Sequence, residues 1–152
     1  MTENGVMIRN ETLPKLSDLY ESDETAWLEQ MAALAAAGEL AALDLDHLSE
    51  YLSDMARRDK REVLRRLAVL MAHLLKWQHQ PDRRSRSWEL TIREQQEELH
   101  DLLESGSLRN HAELELAKAY QKALRRAVVD TELSEEVFPA ECPFSLDQLA
   151  GG

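Results

Sequence analysis

The residues best suited to chemistry lie in one short stretch: Arg83, Arg84 and Arg86, followed closely by Trp88. A guanidinium presents planar, paired donors to phosphate or carboxylate, and an indole presents a face on which a base can stack. Together they define one function class, nucleic-acid binding through the Arg83–Trp88 loop. Three further polar residues, His73, Gln78 and Gln95, interrupt otherwise apolar helical seams. Buried without a partner, each would cost ~1 to 3 kcal/mol, so each is expected to be hydrogen-bonded inside the fold. Convergence of the three on one pocket would mark a ligand site.

Other chemistry finds little support. Helical bundles hold metals through inward Glu-x-x-His pairs on facing helices. Glu97–His100 has that spacing and Asp44–His47 approaches it, but the first pair flanks the seam residue Leu99 and the second sits at a helix start. His73 has no acidic residue three or four positions away, and a hydrogen bond to a neighbouring helix is its expected role. A metal-binding bundle therefore stands as a second alternative with no ligands assigned. Cys142 lies between Glu141 and Pro143 in an irregular tail, and no serine occupies a glycine-flanked elbow. The glycines are isolated at Gly5, Gly38 and Gly106 or terminal at Gly151 and Gly152, so no phosphate-cradling loop exists. No catalytic residue, cofactor or metal ligand is assigned.

The elements that must position these residues are helical. From Leu67 to Trp77 only His73 and Lys76 interrupt an apolar run, which predicts a helix buried nearly all round. Pro81 ends it, because the residue before a proline is driven out of the helical region, and His79 to Arg84 becomes the loop. Spacing and caps predict five main helices, near 23–37, 46–57, 59–79, 86–104 and 108–130, with the third at the centre. Asp23 or Ser22, Ser85 or Ser87, and Ser107 are the candidate N-caps, and Gly38 is the candidate left-handed stop. Asp59 and Glu62 have capping-box spacing, which places a break near Arg58, with a single long bent helix as the competing arrangement. The expected core is Trp27, Met31, Leu48, Leu52, Leu67, Leu70, Met71, Leu74, Trp77, Trp88, Ile92, Leu99, Leu116, Tyr120 and Leu124. In the tail, Ser145 and Gln148 form a capping box that docks Phe138, Phe144 and Leu149.

These features give an all-α, single-domain helical bundle of about five main helices around a central apolar helix at about 59–79. Residues 1–12 form a flexible N-terminal segment and 13–150 one helical domain. The formal net charge is -11, yet residues 57–93 hold eleven Lys/Arg against four Asp/Glu. The surplus of acid elsewhere predicts that the loop arginines are mostly paired internally and that nucleic acid is disfavoured. One cysteine excludes an internal disulfide framework, and MTENGVMIRN lacks the apolar core of a secretory signal. A reducing cytoplasm is the expected location. The apolar run is too short and too closely preceded by arginines to span a membrane.

Several stretches carry a family likeness. LLKWQHQPDRRSRSW followed by TIREQ, with LYESDETAWLEQ, LDLDHL and FPAECPFSLDQL, resembles a bacterial family catalogued as domain of unknown function number 29, over roughly residues 19–149. The resemblance implies an all-helical fold and supplies no activity, substrate or catalytic residue. By that resemblance a glycine is expected at position 56, where this sequence has Ala56, and the departure weakens the case for a break before Asp59. The leading function class is a non-catalytic protein-interaction or regulatory module, binding a protein partner or a second copy of itself. Nucleic-acid binding is the alternative.

Overall fold

The computed structural model describes residues 14–151, and the predicted flexible segment 1–12 lies outside them. Six α-helices and no strand occur among the described residues: α1 Leu16–Ser22, α2 Glu24–Ala36, α3 Leu45–His79, α4 Arg86–Leu102, α5 Gly106–Thr131 and α6 Leu146–Ala150. Short 3-10 turns lie at Leu40–Ala42, Pro81–Arg83 and Glu135–Val137. The packing falls into two compact units that divide between Met55 and Ala56.

The first unit is built on Leu19, Trp27 and Met31, with Leu16, Leu28, Leu43, Leu48 and Tyr51 packed on them. Its helix ends follow local chemistry. Asp23 leaves the helical region and its carboxylate accepts from the Ala26 backbone N–H at 3.2 Å, starting α2. Gly38, at φ +75°, ends α2: its N–H reaches the Ala35 carbonyl at 3.1 Å while that of Glu39 reaches Leu34 at 2.9 Å. This is a Schellman closure. Asp44 precedes α3 and accepts from the His47 backbone N–H at 3.4 Å. Helix α1 is absent from the sequence-based helices, because LSDLYES is only seven residues long and is separated from α2 by a single extended residue. Leu52, expected in the core, is 58% exposed. Leu48 and Tyr51 pack on the core and leave Leu52 one step round the helix from them.

The second unit has the larger core, centred on Val63, Leu67, Leu70, Met71 and Leu75 of α3, Leu99 of α4 and Tyr120, Ala123, Leu124 and Ala127 of α5. From Leu67 to Trp77 no residue is exposed, as the apolar run predicts. Leu74, Trp77, Trp88, Ile92 and Leu116 of the expected core are half-buried. The two helices predicted at 46–57 and 59–79 are one continuous helix, α3, of 35 residues. No glycine or proline interrupts this stretch, and Glu62 does not turn back to cap but pairs forward with Arg66 at 3.0 Å. The N-cap of α5 is Ser105, whose hydroxyl accepts from Leu108 N–H at 3.3 Å, not Ser107, which lies inside the first turn. Lys76 is buried, its Nζ bonded to Asp130 at 3.2 Å and set over the Trp88 ring at 5.3 Å, so it satisfies its charge at the helix edge. The tail docks as expected: Phe138 and Leu149 are buried, the Ser145–Gln148 capping box forms, and the Tyr120 hydroxyl donates to the Pro139 carbonyl at 2.5 Å.

Candidate interaction groove

The seven residues singled out from the sequence do not assemble into one site. His73 is half-buried, and its Nδ1 lies 2.9 Å from the Val69 carbonyl of its own helix, not on a neighbouring helix. A histidine at this depth meets the free lone pair of a carbonyl one turn back before it meets a second helix. Burial lowers its pKa and that hydrogen bond opposes the shift. Gln78 is exposed and makes no side-chain hydrogen bond among the described residues, against expectation, because it falls on the outward side of the last turn of α3. Gln95 is buried and accepts from Arg66 Nη1 at 3.2 Å; the same guanidinium binds Glu62, tying α4 to α3.

The arginine loop also differs from expectation. Arg83, Arg84 and Arg86 are exposed and none forms an ion pair among the described residues. Arg84 instead donates from Nε to the Trp77 carbonyl at 2.9 Å and lays its guanidinium over the Trp77 ring, 4.8 Å from the centroid. The carbonyls of the last turn of a helix lack intrahelical partners, so a guanidinium just beyond the end of α3 finds an acceptor in the backbone without a carboxylate. Trp88 is half-buried with its face occupied by Lys76. Each tryptophan near the loop thus carries one cation of the same chain over its ring.

Basic charge gathers at a different place. A groove of about 690 Å3 between α3 and α5 is edged by Arg58, Arg61 and Arg65 on one side and Lys122 and Arg126 on the other. Its apolar lining is Leu64, Ala68 and Val69, and its one carboxylate, Glu62, is already paired with Arg66. Among the described residues Arg61, Arg65 and Lys122 make no ion pair, while Arg126 lies 3.8 Å from Asp130. The helical repeat creates both edges: positions 58, 61 and 65 share one stripe of α3, and 122 and 126 are one turn apart on α5. The basic excess of 57–93 is visible in the sequence, but its meeting with Lys122 and Arg126 is not, because the two segments come together only through tertiary packing.

Carboxylate and imidazole chemistry is confined to smaller clusters. Glu97, His100 and Asp101 line a cavity of about 470 Å3 beside Ala150, yet no three His, Cys, Asp or Glu side chains among the described residues are placed to hold a metal ion. At the start of α3, Asp44 Oδ2 meets His47 Nδ1 at 2.6 Å and accepts from Trp27 Nε1 at 3.1 Å, with Tyr20 stacked on the imidazole at 4.3 Å. The hydrogen bond to Asp44 raises the His47 pKa; burial opposes it. Cys142 sits against Met71 and the Phe144 carbonyl, and burial pushes its thiol pKa up, the reverse of what a nucleophile needs.

The fold and this groove define a class: an all-α domain with a basic, apolar-floored cleft and no assembled reactive centre among its described residues. The chain belongs to the family DUF29, a domain of unknown function, whose family model matches residues 19–151. No curated protein matches it, and no solved structure does.

Proposed function

We propose that the protein is a non-catalytic interaction module that binds an acidic segment of a partner protein in the groove between α3 and α5. The observation that carries this reading is the groove itself: Arg61, Arg65 and Lys122 make no ion pair among the described residues and line it together with Leu64, Ala68 and Val69, while its one lining carboxylate, Glu62, is already paired with Arg66. Surplus charge of one sign on a mixed surface raises the encounter rate with an opposite partner, and the floor supplies the apolar area that outlasts salt. No helix among the described residues is long and apolar enough to cross a membrane. A single cysteine with a raised pKa is compatible with a reducing cytoplasm, where we place the protein.

Nucleic-acid binding is the second reading, favoured by the exposed, carboxylate-free arginines of the loop. It is weakened by the cations already set over Trp77 and Trp88, Arg84 on the first and Lys76 on the second, with which a stacking base would compete. A titration separates the two. Labelled polyglutamate and a labelled oligothymidylate are added to the parent chain and to Arg61→Glu/Arg65→Glu/Lys122→Glu at low and moderate salt. Polyglutamate binding that weakens with salt and disappears in the variant is expected. Binding of the oligonucleotide in preference to polyglutamate, abolished instead by Arg83→Ala/Arg84→Ala/Arg86→Ala, would replace this reading with the second one.

A further inference from the structure

We infer that the acidic partner is a second copy of this chain: the exposed acidic face at the start of α3 in one copy docks in the α3–α5 groove of another. The inference rests on the interaction role proposed for this groove and names its occupant. Between residues 14 and 55 the chain carries ten Asp/Glu against Lys15 alone, so the first unit is a strongly acidic surface. The groove gathers the opposite charge, and its Arg61, Arg65 and Lys122 make no ion pair with any carboxylate among the described residues. Each copy thus carries both halves of a charge-complementary pair and leaves them unpaired within itself.

The helical repeat decides what α3 shows at its start. Leu48 and Tyr51 pack onto the core of the first unit. Leu45 and Leu52, two turns apart on one stripe, are exposed, and Asp46 and Glu50, one turn apart, are exposed on the stripe beside them. Neither of these carboxylates forms an ion pair among the described residues. Exposed leucines beside unpaired carboxylates match a groove lined by unpaired cations with Leu64, Ala68 and Val69, and contact would remove apolar surface from water and neutralise charge on both sides. Two copies of a chain of net charge -11 repel at long range, so the complementarity has to act at contact, and salt tells the two effects apart. From ~0.1 M to ~1 M ionic strength the screening length falls from ~10 Å to ~3 Å. Association through opposite charges weakens over that interval, whereas association through leucines alone, held back by net repulsion, strengthens.

The test is sedimentation velocity on the full chain from about 1 μM to about 1 mM, in ~0.1 M and ~1 M sodium chloride, with two charge-reversed variants. Arg61→Glu/Lys122→Glu reverses the groove, and Asp46→Lys/Glu50→Lys reverses the acidic face. The parent is expected to associate as its concentration rises, and less so at the higher salt; reciprocal contacts close a two-fold dimer and one-way contacts extend a chain. Each variant alone sets like charges against each other and should associate at least about tenfold more weakly than the parent. An equimolar mixture of the two should recover association, because the reversed groove of one meets the reversed face of the other while the unaltered surfaces meet as in the parent. Recovery also shows that both variants are folded. Should a reversal unfold the chain, the neutral Arg61→Gln/Lys122→Gln must still weaken association, and no loss there would overturn the inference. A parent that stays monomeric while polyglutamate binds in its groove would overturn the second copy and leave the interaction role intact. A parent that neither associates nor binds polyglutamate would overturn both. Association that strengthens with salt, that survives in both variants, or that a mixture of folded variants fails to recover would place the contact elsewhere and overturn the inference.

Discussion

Two histidines in this chain have pKa values shifted in opposite directions, each for a reason visible at its own position. His47 is held by the Asp44 carboxylate, which raises its pKa, with Glu50 and Glu21 adding to the effect. The stabilisation is fully present below the unfolded value of about 6.5 and is lost as pH rises through the raised folded value. Burial pushes the Asp44 carboxyl up, but hydrogen bonds from His47 and Trp27 outweigh it and hold the group below its ordinary range. That contribution fails only in acid. Burial lowers the pKa of His73, so protonation on acidification works against the fold there. The expected outcome is that His47→Gln is least stable relative to the parent below about pH 6.5 and recovers as pH rises above it, whereas His73→Gln gains on the parent as pH falls below about 6.5. Thermal midpoints across that range check both. A constant offset for His47→Gln at every pH would show that the imidazole is not held by Asp44.

At the scale of elements, the centre of the second unit is the 67–77 turn of α3, and its energetics can be tested at one residue. Leu70 is fully enclosed. Leu70→Ala should cost ~2 to 5 kcal/mol, read as a shift in the urea midpoint at unchanged slope; a loss below about half a kcal/mol would mean the surrounding helices do not close on it. This element was legible because a dense apolar run without breakers has one physical solution in a soluble chain. The caps at Asp23, Ser85 and Ser145 were legible for a similar reason, each being a local side-chain bond to a backbone N–H three residues on. The break near Arg58 was misread because Asp59 and Glu62 satisfy the spacing of a cap without needing to be one. Inside a continuous helix the same glutamate gains more from Arg66 one turn ahead. The groove was illegible because Arg61 and Lys122 are sixty-one positions apart, and no periodicity couples residues on different helices. For the loop arginines, overall charge balance proved a poor guide. It sums over distances that a guanidinium cannot reach, while Arg84 took a carbonyl and an indole within its own turn.

Across the whole molecule, charge and core size both divide at the same place. Residues 14–55 carry ten Asp/Glu against Lys15 alone, whereas residues 56–151 carry sixteen Lys/Arg against seventeen Asp/Glu. Among the described residues the first unit thus combines strong self-repulsion with a core of three buried apolar residues, and the second combines near neutrality with a far larger core. Opposing forces of that kind predict that the first unit is the weaker one, and that salt strengthens it selectively. Screening shortens the range of repulsion from ~30 Å at 0.01 M to ~8 Å at 0.15 M ionic strength, while apolar burial is unaffected over the same interval. Trp27 is the natural reporter, being fully buried in the first unit, and Trp77→Phe/Trp88→Phe leaves it as the sole tryptophan. In low salt its fluorescence should change at a lower urea concentration than the far-ultraviolet circular dichroism, which is dominated by the longer helices of the second unit. Added sodium chloride should raise the Trp27 midpoint and narrow the gap. Coincident transitions at every salt concentration would instead establish a single cooperative domain, in which the shared helix α3 transmits unfolding from one core to the other without a populated intermediate.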